Sequence, residues 1–314
     1  MEKLSFIIPC YRSEKTISRV VEEIAEVVSQ KATKYDYEII TVNDASPDGV
    51  LSVLKELADK NRRIKVVDLA INAGQQAAMM AGMSFMSGDY AVFLDDDFQC
   101  PTDHLWELME PLYNGADVSC AKYGYKSETL FRNFGSWLND LMYRSLLNKP
   151  KSLQLSNFVA VKRFVVDKML EYKNPYPYVD GLLLRTTSKI VNVPMHDRKR
   201  LEGKSNYTLS KLIKLVINGF TTFSIKPLRV ATICGTTCSI AGFVFMLYIV
   251  ISKIIRTDID AGYSSIMASL LFIGGFIMLL LGMIGEYIGR IYISINSSPQ
   301  YVVRDTVNVE EKGE

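Results

Sequence analysis

The sequence is poor in the residues that build disulfide frameworks and zinc sites. It has five cysteines and two histidines in 314 residues, with no CxxC pair and no His-linked metal spacing. We therefore interpret the cysteines as small apolar residues of a protein kept in a reducing compartment. The full P-loop pattern G-x-x-x-x-G-K-[ST] is also absent, so we do not expect a P-loop NTPase.

An excess of charge of either sign is also missing. The formal net charge is +2, from 36 Lys and Arg against 34 Asp and Glu. Proteins that bind nucleic acid usually carry a clear basic excess, so we expect no nucleic-acid partner. The distribution of apolar residues, in contrast, is uneven along the chain.

Two long stretches carry no charged residue. Residues 230–252 and 261–285 comprise 23 and 25 such positions. A helix needs about 20 apolar residues to cross the hydrocarbon core, so both stretches are predicted to span a membrane rather than to form buried core helices. The N-terminal sequence MEKLSFIIPCYRSE lacks a secretory signal, and the flanking Lys and Arg favour both termini inside. We therefore expect a multi-pass membrane protein whose N-terminal domain and termini are cytoplasmic.

The predicted organisation has five parts. Just before the first span, Lys211 and Lys214 alternate with apolar residues in a basic amphipathic helix, which we interpret as lying in the membrane interface. An ordinary surface helix packed on the sheet stays the alternative. The residues after Tyr301 are predicted to form a polar tail. The parts are a catalytic domain at 1–207, the interfacial helix at 208–228, spans at 229–252 and 261–289, and a tail at 290–314.

Short apolar strands alternate with helical patterns over the first 125 residues. The predicted strands are LSFII, YEIITV, IKVVDL, YAVFLD and DVSCA, which begin at residues 4, 37, 64, 90 and 117. Between them apolar residues recur at helical spacing, as at Ile17, Val20 and Ile24. This alternation predicts an α/β domain with a parallel sheet. In the turn NDASPDG, Ser46 is predicted to cap a helix with Pro47 at its first position.

Polar or glycine-containing loops follow four of these strands. The carboxyl ends of parallel strands meet at one edge of a sheet, where ligands of such folds bind. A single loop of this kind is often merely solvated, but four together predict a binding site. The loops contain Pro9, Tyr11 and Glu14, then Asn43, Asp44 and Asp48, then INAGQQAAMMAG, and finally the triplet Asp95, Asp96 and Asp97.

The three consecutive aspartates need a physical explanation, because like charges this close repel one another. Alternate residues of an extended stretch face the same way, so Asp95 and Asp97 can converge, with Gln99 two residues further on. Oxygen ligands of this kind suit Mg²⁺ or Mn²⁺, which bind through one or two carboxylates and share substrate phosphates. The alternative is that the acids cap a helix beginning near Pro101, and it is weaker because Thr102 can serve as that cap.

The motifs FIIPCYRSE, TVNDASPDG, LAINAGQQAAMMAGM and SGDYAVFLDDDFQCP resemble those of family 2 glycosyltransferases with the GT-A fold. The stretch RLEGKSNYTLSKLIKLVINGFTTFSIKPLR, the two uncharged stretches and the closing GEYIGRIY are similar to one branch of that family. This branch loads sugars onto polyprenyl phosphates and includes dolichol-phosphate mannose synthases and bacterial undecaprenyl-phosphate glycosyltransferases. The resemblance covers nearly the whole chain. It implies a Rossmann-like GT-A domain, with a mostly parallel sheet and helices on both faces, followed by two transmembrane helices.

The resemblance also implies roles for individual residues. Nucleotide binding falls on Pro9, Tyr11, Glu14, Asp44, Gly74 and Asp96, with Asp44 as the contact to the base. The metal motif D-x-D-x-Q falls on Asp95, Asp97 and Gln99. The stretch R-x-x-G-x-S-x-Y assigns phosphate binding to Arg200, Lys204, Ser205 and Tyr207, with Gly203 allowing close backbone approach. Arg and Lys pair well with phosphate oxygens, although this stretch also fits a cluster attracted to anionic lipid. Of these residues, Asp97, Arg200 and Lys204 are predicted to be catalytic.

Two residues depart from the pattern of the family. Asn43 stands where relatives usually have a second acid, so recognition of the base would depend on Asp44 alone. Asn157 stands where several relatives have an aspartate proposed to act in catalysis, and a neutral amide cannot be a general base. A phosphate monoester has a second pKa of about 6, so the nucleophile needs placement more than proton removal. Asp180 is another acid that could lie near the acceptor.

The resemblance therefore implies a metal-dependent, inverting hexosyltransferase of the inner membrane. Its donor would be a nucleoside diphosphate sugar, with a UDP-sugar favoured, and its acceptor undecaprenyl phosphate. The product would be a lipid-linked sugar used to modify cell-envelope glycans, and relatives suggest a homo-oligomer. One alternative is a transferase that acts on a polysaccharide or glycolipid. Another is a non-catalytic lipid-carrier binding or scaffold protein, which would not need Asp97.

Overall fold

The computed structural model describes residues 1–124, 149–150, 152–196, 198, 262–295 and 299–309, together with positions 233, 235–237, 240, 244, 247, 248 and 251. The chain divides into two compact units. Residues 1–212 and 297–314 form the first, and residues 213–296 form the second. The candidate site lies in the first unit.

One mixed sheet forms the centre of the first unit. Its strands are β1 (Glu2–Cys10), β2 (Tyr35–Asn43), β3 (Ile64–Leu69), β4 (Tyr90–Phe93), β5 (Val118–Tyr123), β6 (Val159–Lys162), β7 (Ile190–Met195) and β8 (Val303–Val307). Their order is β7-β5-β6-β4-β1-β2-β3-β8. Parallel pairs join β1 to β2 and β4, β2 to β3, and β5 to β7. The predicted α/β domain is confirmed, but β6 and β8 pair antiparallel to their neighbours.

Helices cover both faces of this sheet. They are α1 (Ile17–Ser29), α2 (Val50–Lys60), α3 (Gln75–Ser84), α4 (Leu105–Tyr113), α5 (Arg163–Leu170) and α6 (Val179–Thr186), with a 3-10 turn at Thr102–His104. The apolar face of α1 joins a core cluster with Phe6 and Ile8 of β1, whereas α3 joins a second cluster with Ile7. Neighbouring residues of a strand face opposite sides of the sheet, so the two clusters lie on its two faces.

Helix α3 packs unusually closely against β1. A Cβ atom placed at Gly82 would lie 2.5 Å from the Cγ2 atom of Ile7, so a side chain at this position would force the helix away from the strand. Because α3 begins directly after Gly74, this close packing also sets the position of the loop that precedes the helix.

A buried carboxylate joins three neighbouring strands. The Glu38 side chain is only 2% exposed and forms ion pairs with Lys3 at 3.1 Å and Lys65 at 2.8 Å. It also accepts hydrogen bonds from the hydroxyl of Ser5 and from the backbone N–H and hydroxyl of Ser87. Burial alone would raise the pKa of Glu38, but the hydrogen bonds from Lys65, Ser5 and Ser87 lower it to about 2. The network ties β1, β2 and β3 to the loop before β4.

The polar tail predicted after Tyr301 is wrong for Val303–Val307, which form β8 beside β3. Lys55 of α2 pairs with Asp305 at 3.0 Å, and Asn308 donates to the carbonyl oxygens of Ala58 and Ile64. The strand is short and mostly exposed, so few of its positions need apolar side chains. Its sequence therefore carries almost none of the alternation that reveals a strand.

The predicted helix caps are also wrong. Helix α2 begins at Val50, after Gly49, and the Ser46 hydroxyl donates instead to Asp48 Oδ1 at 2.6 Å. Thr102 opens the 3-10 turn, and neither this turn nor α4 has a side-chain cap hydrogen bond. The loop after β2 is thus longer than predicted. The Ser46 hydroxyl bonds to another residue of this loop and does not cap the helix.

The second unit contains α7 (Tyr263–Ile295), a helix of 33 residues over the span predicted at 261–289. Counting only the residues whose side chains the structure describes, no helix combines the length and the apolar character needed to cross a membrane. The interfacial helix predicted at 208–228 lies outside the described residues, as does most of the span predicted at 229–252. Both spans and the interfacial helix stay predictions.

We expect Glu38→Gln to lower the free energy of unfolding by about 3 kcal/mol near neutral pH, because two lysines lose their buried counter-charge. The folded-state pKa lies below the unfolded value, so the carboxylate stabilises the fold above the unfolded pKa. The effect should therefore shrink as the pH falls from 4.5 to about 2. Denaturant unfolding of the detergent-solubilised chain at several pH values measures it. Glu56→Gln on the exposed side of α2 is the control, and equal effects of the two variants would contradict the prediction.

Candidate active site

Three loops follow β1, β2 and β4, which are parallel neighbours whose carboxyl ends lie side by side. Hydrogen bonds connect the loops: Tyr11 N donates to Asp96 Oδ2 at 3.0 Å, and Arg12 N donates to Ser46 Oγ at 2.8 Å. Each loop also holds one non-glycine residue at positive φ, namely Arg12, Ala45 and Phe98 at 59°, 46° and 66°. Such conformations cost on the order of 1 kcal/mol or more each and cluster at functional sites. The structure thus brings the predicted loops together at one edge of the sheet.

Asp44 holds the loop that follows β3. Its Oδ1 accepts a hydrogen bond from Ala73 N at 2.6 Å, and its Oδ2 accepts one from Gly74 N at 2.9 Å. Burial raises the pKa of Asp44 above its ordinary value, and the two N–H groups offset part of that shift. Gly74 has a φ of 87°, a conformation that favours glycine. The predicted nucleotide residues Asp44 and Gly74 are therefore in direct contact, and a contact of Asp44 with a base stays a prediction.

The neutral side chain of Asn43 has a structural explanation. Its Nδ2 donates to Asp68 Oδ1 at 2.7 Å, and its Oδ1 accepts from Ser46 N at 3.2 Å. Asp68 is itself buried, and Arg304 of β8 approaches its other oxygen at 3.6 Å. An acid at position 43 would place two carboxylates together in a buried site, at a high electrostatic cost. In this chain the buried acid beside position 43 is Asp68 of β3.

The remaining predicted nucleotide residues of the first loop differ in exposure. Pro9 is buried within β1 beside Val42 of β2, and Tyr11 is 44% exposed. Glu14 bonds to the loop after β2, because its Oε2 accepts from Gly49 N at 3.1 Å while its own N–H donates to Asp48. Glu14 therefore fastens the first loop to the start of α2.

The aspartate triplet divides into two environments. Asp95 accepts hydrogen bonds from two neutral amides, Gln75 Nε2 at 2.8 Å and Asn157 Nδ2 at 2.6 Å. Asp97 accepts from the backbone N–H of Gln99 at 3.1 Å. Asp96 bonds to the first loop through Tyr11 N. Burial raises the pKa of Asp96, and hydrogen bonds from Ser13 and Tyr11 offset part of the shift. The middle carboxylate thus bonds to a different neighbour from the one that Asp95 contacts. Strand geometry is not the cause, because β4 ends at Phe93 and residues 96 and 97 form a turn, and the predicted convergence of Asp95 and Asp97 stays a prediction.

The donor set fits a divalent cation. Asp95 and Asp97 offer carboxylate oxygens, the ligands that Mg²⁺ and Mn²⁺ prefer. The amides of Gln75 and Asn157 orient Asp95 but carry no charge that would neutralise it. In the part of the chain that the structure describes, no three His, Cys, Asp or Glu side chains are grouped to hold an ion. Binding by Asp95, Asp97 and Gln99 stays a prediction.

The predicted catalytic residues lie in different places. Asn157 reaches the triplet from the segment just before β6 through its bond to Asp95. Asp180 lies in the first turn of α6. The pKa of the Cys120 thiol in β5 is raised, mainly by burial and to a smaller extent by the negative charge of Asp180. Arg200, Gly203, Lys204, Ser205 and Tyr207 lie outside the described residues.

Three residues of this site escaped sequence reasoning: Gln75, Asp68 and Arg198. Gln75 lies in the loop INAGQQAAMMAG that the strand-end rule selected, but no role was predicted for it. Asp68 precedes the last residue of β3, where an acid inside an apolar strand is a usable signal. Arg198 donates its N–H to the carbonyl oxygen of Gln99 at 3.3 Å, a contact between distant segments that no local pattern reveals.

The chain is similar to known glycosyltransferases along its length. Residues 5–171 match the family described as Glycosyl transferase family 2, and residues 226–291 match the one described as GtrB C-terminal hairpin. An uncharacterized glycosyltransferase of Bacillus subtilis (strain 168), YkcC, is 33% identical over 309 residues, which cover 98% of this chain and 95% of the relative. An SfII prophage-derived bactoprenol glucosyl transferase of Shigella flexneri is 30% identical over 307 residues, which cover 96% of this chain and 97% of the relative.

Solved structures show the same fold. Glucosyl-3-phosphoglycerate synthase from Mycobacterium tuberculosis, in complex with Mn²⁺, uridine diphosphate and phosphoglyceric acid, superposes with a TM-score of 0.52 at 20% sequence identity. The match covers 70% of this chain and 77% of that one. The mixed α/β architecture is therefore of the GT-A type.

We expect Asn157→Asp to lower the melting temperature in EDTA by several degrees, because the change removes a hydrogen bond and adds a charge beside Asp95. Adding Mn²⁺ should restore most of the loss, since a cation screens the two carboxylates. Thermal unfolding with and without Mn²⁺ measures both effects. Asn157→Ala removes the bond without adding charge and should show a smaller fall with no recovery. Equal behaviour of the two variants would argue against a cation at Asp95.

Proposed function

The chain belongs to glycosyl transferase family 2, and from this membership we propose that it transfers a sugar from a nucleoside diphosphate sugar to the phosphate of a membrane polyprenyl phosphate. The favoured donor is a UDP-sugar, and the favoured acceptor is undecaprenyl phosphate. The product is a lipid-linked sugar that serves as a donor for cell-envelope glycans.

One observation carries this proposal. The bactoprenol glucosyl transferase of Shigella flexneri matches 96% of this chain, so the similarity includes the strand-end site and the C-terminal stretches together. Residues 226–291, which match the GtrB C-terminal hairpin, cover both uncharged stretches. A transferase for a water-soluble acceptor does not need such stretches, whereas one for a polyprenyl phosphate must work at a membrane.

The donor side of the proposed site uses the loops held by Asp44 and Asp96. Asp44 holds the backbone of Ala73 and Gly74, and Asp96 holds that of Tyr11, so the loops are formed before the nucleotide arrives. The exposed ring of Tyr11 offers a face for the base. Such preorganisation lowers the entropy cost of binding.

The diphosphate would lie between the metal motif and the basic stretch. Asp95, Asp97 and Gln99 would hold Mg²⁺ or Mn²⁺, and the ion would supply positive charge to the leaving diphosphate. Gln75 and Asn157 orient the Asp95 carboxylate through their amides. The residues predicted to contact the phosphates are Arg200, Lys204, Ser205 and Tyr207.

The acceptor needs no general base in this scheme. Its phosphate is largely ionised at neutral pH, because the second pKa of a phosphate monoester is about 6. A phosphate oxygen attacks the anomeric carbon from the face opposite the diphosphate, and the bond from that carbon to the diphosphate oxygen breaks with inversion. An amide at position 157 is compatible with this chemistry, because its bond to Asp95 requires a donor. Asp180 is a second candidate for the acceptor side.

Membrane attachment completes the proposal. Residues 229–252 and 261–289 would span the inner membrane, and residues 208–228 would lie in its interface. The catalytic domain and both termini would then be cytoplasmic. Support comes from the length and lack of charge of the two uncharged stretches. Small residues on both spans allow close packing of helices, which fits a homo-oligomer: Gly235, Gly274, Gly275, Gly282 and Gly285.

Sugar transfer by the purified full chain tests the proposal. With Mn²⁺ or Mg²⁺, undecaprenyl phosphate and a panel of radiolabelled nucleotide sugars, we expect a labelled product that extracts into organic solvent. EDTA should abolish it, and Asp97→Asn should reduce it by about 100-fold or more, because a preorganised charge is lost from the diphosphate site. Asp59→Asn, on the exposed side of α2, is the matched control and should keep full activity.

The other outcomes separate the alternatives. Labelled polysaccharide or glycolipid without lipid-phosphate product would move the reaction to a glycan acceptor. Intact nucleotide binding without transfer to any acceptor would favour a binding or scaffold role. Full activity of Asp97→Asn in EDTA would contradict the metal-dependent reaction.

A further inference from the structure

Phe98 occupies the centre of the metal motif, between Asp97 and Gln99. Its backbone has a φ of 66°, a strained conformation for an aromatic residue. Two guanidinium groups lie over its ring, that of Arg19 at 4.3 Å and that of Arg198 at 5.0 Å from the ring centroid. These cation–π contacts hold the strained residue in place.

Arg198 also forms ion pairs with two other segments of the chain through its guanidinium group. Its Nη1 pairs with Glu23 of α1 at 2.7 Å, and its Nη2 pairs with Asp103 of the 3-10 turn at 2.7 Å. The Arg198 side chain is 27% exposed and that of Glu23 only 17%, so water screens the Glu23 pair incompletely. A planar guanidinium can bond two carboxylates and stack on a ring at once, which an ammonium group cannot do.

Backbone contacts connect Arg198 to the metal motif as well. Its N–H donates to the carbonyl oxygen of Gln99 at 3.3 Å, and its own carbonyl oxygen faces the Nε2 of Gln99 at 3.5 Å. Along the chain, Arg198 stands two residues before Arg200, the first residue of the predicted phosphate-binding stretch. Arg198 therefore contacts one half of the proposed diphosphate site and is covalently joined to the other half.

We propose that Arg198 is a positioning residue that fixes the metal motif in one arrangement. The inference deepens the proposed function and depends on it. Arg198 acts through Phe98 and Gln99, whereas its own guanidinium group is occupied by Glu23, Asp103 and the Phe98 ring. Its role differs from that of Asp44, which holds the loop for the base.

This difference gives the proposal a specific signature. We expect Arg198→Lys to raise the dissociation constant of Mn²⁺, measured by electron paramagnetic resonance with UDP present, by about tenfold. Binding of UDP in EDTA should be unchanged, because the Asp44 loop is untouched. In the transfer assay kcat should fall about 10- to 100-fold, with a smaller change in KM for the donor.

The matched control is Arg63→Lys. Arg63 likewise pairs with a carboxylate, Asp36 at 3.2 Å, and stacks on an aromatic ring, Tyr37 at 5.1 Å, but at the start of β3. The Arg63→Lys variant should leave Mn²⁺ binding and kcat unchanged. Glu23→Gln removes the ion pair between Glu23 and Arg198 but leaves Arg198 itself in place. This variant therefore replaces Arg198→Lys in the experiment if Arg198→Lys does not fold. In the double variant of Arg198 and Glu23 the effects should be smaller than the sum of the single effects.

Unchanged Mn²⁺ binding in both Arg198→Lys and Glu23→Gln would overturn the proposal. An equal loss of Mn²⁺ binding and of UDP binding in EDTA would also overturn it, because a general loss of structure affects both. If the wild-type chain binds UDP with Mn²⁺ but transfers no sugar to lipid, the proposed function fails, while the binding measurements still decide the role of Arg198.

Discussion

Parallel pairing of β1 with β2 and β4 is the constraint on which the site depends. It places the carboxyl ends of three strands side by side, so the loops that leave them must share one small space. Backbone groups that lose their sheet partners there bond across the loops, as Tyr11 does to Asp96 and Arg12 to Ser46. The positive φ values of Arg12, Ala45 and Phe98 follow from the same crowding. The Glu38 network secures three of the strands from within the sheet.

The aspartates at this edge of the sheet have two different roles. Asp44 is buried and Asp96 is half-buried, and both accept hydrogen bonds from backbone N–H groups, so they hold loops in position. Asp95 is oriented by the neutral amides of Gln75 and Asn157, which leave its charge in place. A cluster of carboxylates is tolerable when some of them replace lost backbone bonds and the rest face a cation. With a cation bound at Asp95 and Asp97, as proposed above, this division would explain how a chain of nearly balanced charge can place three aspartates in a row after a buried strand.

Much of the fold could be predicted from local pattern. The first five strands and α1 were found because apolar periodicity directly reflects burial, and β3 was placed at its observed residues. The caps at Ser46 and Thr102 were wrong, because tertiary hydrogen bonds and a 3-10 turn took precedence over local propensity. β8 was missed, because an exposed edge strand of five residues buries too little to leave a pattern. Asp44, Gly74, Asp95 and Asn157 were named as site residues, but the hydrogen bonds that join Asp44 to Gly74 and Asn157 to Asp95 were not predicted.

Local pattern along the chain was enough to predict which chemical groups stand at the strand ends and in what order, since strand periodicity and the aspartate triplet are local properties of the chain. The sequence also determined the lengths of the two uncharged stretches. The three-dimensional fold was needed to show which acid bonds to which loop, why position 43 carries an amide beside Asp68, and that Arg198 contacts Phe98 and Gln99. The physical reason is that hydrogen bonds and ion pairs act over a few ångströms in space. Residues 99 positions apart in the chain come within that range only after the sheet has formed.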